Sequence, residues 1–168
     1  ASAEQLASDR LEAECRARLE RLAAAADAGL STDARSALVA SVLDDVFRLG
    51  PLEPLLADPT VADVLVNAPD RVYVERAGAI EPTNARFRDR AHLLQVIQRI
   101  VRKAGRRVDE RSPMVDARLP DGSRVNVVLP PLALDGPQLS IRRFPPQPLT
   151  LDALVAKGSL PARSAELL

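Results

Sequence analysis

Apolar positions in the first fifty residues recur every three or four places. Leu11, Cys15, Leu19, Leu22 and Ala26 carry that spacing through residues 5–28 and predict an amphipathic helix. "DAGL" stops it, with Gly29 where a left-handed cap is favoured. Ser31 or Thr32 then caps a second helix, whose apolar face is Leu38, Val42, Leu43, Val46 and Phe47 and which Gly50-Pro51 ends. The two helices are expected either to pack on the main domain as an antiparallel hairpin or to form a partner-binding arm. Cys15, on the first stripe, is expected to be buried packing rather than chemistry.

From residue 51 the periodicity shortens, and prolines and turn residues separate short β-prone runs. A turn or short helix is expected at 52–57 and strands at 63–67, 72–75 and 79–81, with Ala77-Gly78 closing a hairpin. Asp89 caps a helix reaching Ala104, with Leu93, Ile97, Ile100, Val101 and Ala104 on its buried face. Strands at 114–119 and 124–129 flank the turn Pro120-Asp121-Gly122-Ser123, and a further strand covers 139–144. The sum is an α+β fold, a mostly antiparallel sheet with at least one helix covering a face. "PPQPLT" at 145–150 reads as a proline-rich linker, after which Thr150 caps a helical start. Three parts follow: a helical segment 1–49, an α/β domain 50–145, and a linker with a first helix at 146–168.

Composition narrows the function. Of 168 residues, 46% are hydrophobic and 27% charged, enough apolar material for one core. Aromatics are 2% and Trp is absent, which disfavours single-stranded nucleic-acid binding by base stacking. The lone Cys15 cannot form an internal disulfide, and no run of about 18 apolar residues is present. Charges also occupy the place of a signal peptide's apolar stretch. The expectation is a soluble cytoplasmic protein.

Charge is balanced overall but not along the chain. Residues 1–85 hold 8 basic and 15 acidic residues, a net of −7; residues 86–143 hold 13 basic and 6 acidic, a net of +7. Pairing of one half with the other, within the chain or between subunits, is set ahead of an external anion as the account of such asymmetry.

No self-sufficient active site can be read. There is no G-x-x-x-x-G-K-[ST], no G-x-G-x-x-G and no G-x-S-x-G. His92 is the single histidine, with no ligand cluster near it, so no metal is expected. Asp109, Glu110 and Asp116 lie close in sequence but read as surface charges beside arginines. Arginines are the better lead. Arg118 and Arg124 flank a tight turn, and in "SIRRF" strand alternation sends Arg142 and Arg143 to opposite faces. Guanidinium groups on rigid strands suit phosphate or carboxylate; on spacing alone, structural ion pairs are the account set ahead of it.

Three stretches taken together carry a resemblance. "LGPLEPLLADPTVADVLVNAPDRVYVERAGAIEPT", "GRRVDERSPMVDARLPDGSRVNVVLPPLALDGPQLSIRRF" and "LTLDALVAKGSL" resemble the N-terminal part of CpaF/TadA-type secretion ATPases, of the type II/type IV secretion ATPase superfamily, which assemble tight-adherence (Flp) pili. The ordered set P-x-V-D-A-R-L, D-G-S-R-V-N, a proline pair and S-I-R-R-F is far more specific than any piece; residues 1–48 match only loosely. The resemblance implies a ring hexamer in which a PAS-like N-terminal domain is linked to a RecA-like domain holding the ATP and Mg machinery. That second domain is expected to follow Leu168, so this chain is not expected to be an enzyme by itself. Arg124 and Arg142 are the positions implied to reach the nucleotide phosphates, with Arg118 and Arg143 less secure. The implied partners are the chain's own C-terminal ATPase domain, neighbouring subunits and an inner-membrane pilus platform protein, with no nucleic acid. The implied place is the cytoplasm, peripheral to the inner membrane, with phosphate release swinging the domain about the linker. The rival expectation is an interaction module whose acidic arm docks a partner while the sheet is only a scaffold.

Overall fold

A computed structural model describes residues 3–26, 29–144, 150–165 and 167. Two helices open the chain, α1 (Ala3–Ala25) and α2 (Thr32–Phe47). A 3-10 turn at Gly50–Leu52 and the short α3 (Glu53–Ala57) lead into the sheet. Its strands are β1 (Asp63–Ala68), β2 (Arg71–Arg76), β3 (Ala79–Pro82), β4 (Met114–Arg118), β5 (Arg124–Val128) and β6 (Gln138–Arg142). Between β3 and β4 lies α4 (Arg90–Lys103), and after the sheet come α5 (Leu151–Ala156) and α6 (Ala162–Ala165). The linker expected at 145–150 lies, for residues 145–149, outside the described residues.

Each strand of the sheet's interior alternates, and that alternation builds the core. The sheet order is β3-β2-β1-β6-β5-β4, with every pairing antiparallel. Val64 and Val66, Val72 and Val74, Val125 and Val127, and Leu139 and Ile141 all point to one face and are buried. Leu93, Val96, Ile97, Ile100 and Val101 of α4 join them in the same apolar cluster. Asp89 starts the helix as expected, its carboxylate accepting the His92 N–H at 2.7 Å. The opposite face of the sheet carries the half-buried Leu65, Tyr73, Asn126 and Ser140, outside that cluster. The expected α+β class is thus observed, with the sheet wholly rather than mostly antiparallel.

The helical pair keeps only part of its predicted faces: of those positions Leu43 is buried and Leu19, Val42 and Phe47 are half-buried. Leu38 and Val46 are exposed, as are Leu11 and Leu22 of α1, whereas Val39 and Leu43 are buried. Cys15 is half-buried rather than buried. The reason is polar anchoring that sets how α2 is turned about its axis. Arg99 of α4 donates to the main-chain oxygens of Asp45 (3.1 Å) and Arg48, the open carbonyl end of α2. Arg48 in turn bridges Glu12 of α1 at 2.8 Å and Asp44 at 2.9 Å. Helix α2 stops at Phe47, with Arg48 as its cap, before Gly50 is reached. Gly50 is buried with φ +59°, the left-handed backbone that favours glycine, and a Cβ there would lie 2.9 Å from Asp45 Oδ1 of α2.

A polar knot closes the approach to β1. Arg76 contacts Asp58 (2.9 Å) and Glu81 (3.2 Å), and Asp58 also accepts the Thr60 hydroxyl at 2.7 Å and N–H at 2.9 Å. The Thr60 hydroxyl, its N–H and then Arg76 lower the Asp58 pKa to about 2. A depressed acid contributes stability above the ordinary carboxylate value, and that stability is lost as pH falls toward 2. An acid titration followed by circular dichroism should therefore show stability declining between about pH 4 and 2, with Asp58→Asn flattening that decline. In urea unfolding, Ile97→Ala should cost about 2–5 kcal/mol, while Leu38→Ala should change stability by less than about 0.5 kcal/mol.

Candidate functional site: a charged row across the sheet

Directly paired residues of neighbouring antiparallel strands present their side chains on the same face. Glu75 of β2 pairs with Asp63 of β1, Asp63 with Arg142 of β6, Arg142 with Arg124 of β5, and Arg124 with Arg118 of β4. One row thus reads Glu75, Asp63, Arg142, Arg124, Arg118 across five strands, on the face opposite α4. The three arginines are exposed and the two carboxylates half-buried. Like charges directly opposite one another destabilise a sheet. Yet three arginines occupy directly paired positions here, and among the described residues neither the Arg118 nor the Arg124 side chain has a hydrogen-bond or ion-pair partner.

Arg142 is held only loosely. Its Nε lies 3.9 Å from Asp63 Oδ1, beyond hydrogen-bond length. That same oxygen is buried and accepts no hydrogen bond. Burial raises the Asp63 pKa; Arg142 opposes the shift and neighbouring Glu75 adds to it. A cleft of about 300 Å³ opens beside the pair, lined by Thr60, Asp63, Glu75, Arg142, Arg143 and Phe144 among others.

Arg143 is a different kind of residue. It follows the last residue of β6 and lines the same cleft as Arg142, but its guanidinium is turned to the main-chain oxygens of Val61 (2.8 Å) and Asp58. Its N–H donates to Ala62 O at 2.9 Å, so it fastens the end of β6 to the approach to β1. Of the four arginines singled out in the sequence, three come together in the row and the fourth ties the frame behind them.

The turn between β4 and β5 fixes the row's outer end. Asp121 accepts both the N–H and the hydroxyl of Ser123, each at 2.9 Å. Gly122 takes φ +88°, and a Cβ on it would meet the Phe144 ring at 3.2 Å. Ser123 is buried, and its Oγ also accepts the Phe144 N–H at 3.2 Å. Sequence reasoning missed Asp63, Glu75 and Ser123. Strand parity places Asp63 and Arg142 each on the face away from the valines, but only the β1–β6 register brings them together. Asp109 meets its expected surface role, its carboxylate accepting Ser112 and Arg111 N–H groups and the Arg107 guanidinium, which lower its pKa.

Internal pairing accounts for little of the charge asymmetry. Among the described residues, Arg142–Asp63 is the one ion pair joining an arginine of the basic block to a carboxylate of the acidic one. His92 Nδ1 accepts the Arg88 N–H, and its Nε2 faces Asp45 at 3.4 Å, a structural contact at the α2–α4 joint. No described helix is long and apolar enough to cross a membrane.

Comparison with known proteins agrees with this architecture. A Mycobacterium tuberculosis H37Rv protein named as a putative conjugal transfer protein is 38% identical over 124 residues, covering 70% of this chain and 35% of its own length. The type IV secretion system protein VirB11 of Brucella suis biovar 1 is 36% identical over 90 residues, covering 54% of this chain and 25% of VirB11. The crystal structure of the Brucella suis VirB11 ATPase, solved in complex with sulphate, superposes with a TM-score of 0.58 at 31% identity, over 66% of this chain and 34% of that one. The chain therefore spans about a third or less of the length of these relatives. Residues 46–168 match the family described as type II/IV secretion system protein, and the chain belongs to that family.

Proposed function

We propose that this chain is the part of a secretion ATPase that grips the nucleotide's phosphates from outside the motor domain. What supports this reading is the row of three mutually facing arginines, two of them without a partner among the described residues. A row of cations on rigid strands carries a standing repulsion, and a polyanion placed along it relieves that repulsion. Arg124 and Arg142 meet the phosphates; Arg118, paired directly with Arg124, extends the same positive surface. ATP and its magnesium ion sit on the RecA-like domain, which supplies the chemistry of hydrolysis. This chain supplies positive charge where negative charge develops on the transferring phosphoryl group.

Loss of the γ-phosphate removes the anion that holds the row against the motor, and the domain then turns away. In a hexameric ring that motion passes to neighbouring subunits and to an inner-membrane platform protein at the cytoplasmic face. The ordered set of P-x-V-D-A-R-L, D-G-S-R-V-N and S-I-R-R-F points to the CpaF/TadA type, which assembles tight-adherence pili.

In the full-length protein that carries this chain, Arg124→Ala and Arg142→Ala should each lower kcat for ATP hydrolysis by about 10²–10³, with the fold intact. Arg143→Ala should instead lower the melting temperature, because two main-chain oxygens lose their donor. Unchanged kcat and nucleotide affinity in the Arg124 and Arg142 variants would reduce the sheet to a scaffold. The exposed Leu11, Leu22, Leu38 and Val46 of the helical pair would then mark the working surface, that of an interaction module.

A further inference from the structure

Between the acidic and basic halves of the row stands one residue that touches both. Asp63 faces Glu75 on β2 and Arg142 on β6, and Arg124 and Arg118 continue beyond Arg142. Arg143, which lines the same cleft, is turned to main-chain oxygens and does not compete for Asp63. Thus Arg142 alone among these cations can neutralise the Asp63 carboxylate. The 3.9 Å separation and the buried oxygen without a donor mark a contact that holds Arg142 near without locking it.

We infer that Asp63 is a positioning residue that holds Arg142 aside until an anion arrives and takes up a proton when Arg142 leaves it. The inference rests on the anion-gripping reading of the arginine row. Its physical basis is a competition for one guanidinium. In the free chain the Asp63 carboxylate and Arg142 share a loose ion pair. A bound phosphate or sulfate draws Arg142 toward Arg124, and Asp63 is left desolvated against Glu75. Glu75 already accepts the Gly78 N–H at 2.6 Å through one of its oxygens, whereas Asp63 Oδ1 has no donor. The incoming proton, taken from solvent, therefore settles on Asp63. Burial, which already raises its pKa, acts in the same direction.

Ionised Asp63 competes with the anion, so affinity rises as pH falls through the Asp63 titration and levels off below it. Sulfate is the suitable probe because it does not itself titrate there. The 168-residue chain, which has its own core, should be titrated with sulfate at constant ionic strength held with chloride. The Arg142 and Arg124 Nε–H resonances and the Asp63 carboxyl carbon report the two events separately.

On the wild type, saturating sulfate should raise the Asp63 titration midpoint, and affinity should improve by up to about tenfold per pH unit across that midpoint. Asp63→Asn should bind sulfate about three- to tenfold more tightly at neutral pH, a ratio worth up to about one pKa unit, and should lose the extra pH dependence. In chains that also carry Arg142→Ala, the Asp63→Asn substitution should no longer change sulfate affinity. If sulfate shifts the arginine resonances but leaves the Asp63 midpoint unmoved, the positioning role is wrong and the arginine row stands. If sulfate shifts neither arginine, the reading of the row falls and the positioning role with it. Should Asp63→Asn fail to fold, the wild-type carboxyl titration decides alone.

Discussion

The pairing of β1 with β6 is the constraint on which the rest of this molecule depends. These two strands sit at the middle of the sheet and join an N-terminal hairpin to a C-terminal one across the whole of α4 and its flanking loops. Their alternation decides both faces at once. Val64, Val66, Leu139 and Ile141 go under α4, and Asp63 and Arg142 go to the opposite side. A slip of one residue in that register would bury a charge and expose a valine or its partner, so the hydrophobic face enforces the charged one. The arginine row is thus specified by the core, although none of its members is in the core.

The helical pair obeys a different rule. Its orientation is set by hydrogen bonds to a helix end and by one tight glycine contact, with only Val39 and Leu43 buried along α2. Arg99 satisfies carbonyls at the end of α2 and adds a cation where the helix dipole is negative. His92 fills the space beside it, edge-on to Phe87, with Asp45 facing its Nε2. Polar anchoring of this kind leaves leucines outside, so apolar periodicity alone is a poor guide to which face turns inward.

That contrast explains what can be read from the sequence. Helix α4 is legible because Asp89 supplies the cap and six buried positions repeat at three and four. The β4–β5 hairpin is legible for a similar reason: Pro120-Asp121-Gly122 demands a turn, and Arg118 must then oppose Arg124. The faces of α1 and α2 are only partly legible because Arg99, whose grip orients α2, lies 51 residues from Arg48 in sequence. Nothing local distinguishes Asp63 from any acid that opens a strand. Its meaning comes from Arg142, and that neighbour exists only once β1 and β6 are placed side by side. Ser123 reads locally as turn chemistry alone; its further role depends on Phe144, just past the end of another strand.

The tie between Ser123 and Phe144 has a mechanical side. A pull on the chain beyond Phe144 enters the sheet along β6, an interior strand bonded to β5 on one flank and β1 on the other. Antiparallel ladder bonds lie across the strand direction, so such a pull shears many of them together instead of unzipping them one at a time. Ser123 passes part of the tension to the β4–β5 hairpin, and Arg143 passes part to the carbonyls ahead of β1. The sheet therefore responds to traction as one stiff plate, spreading a load applied at a single strand end over nearly its full width.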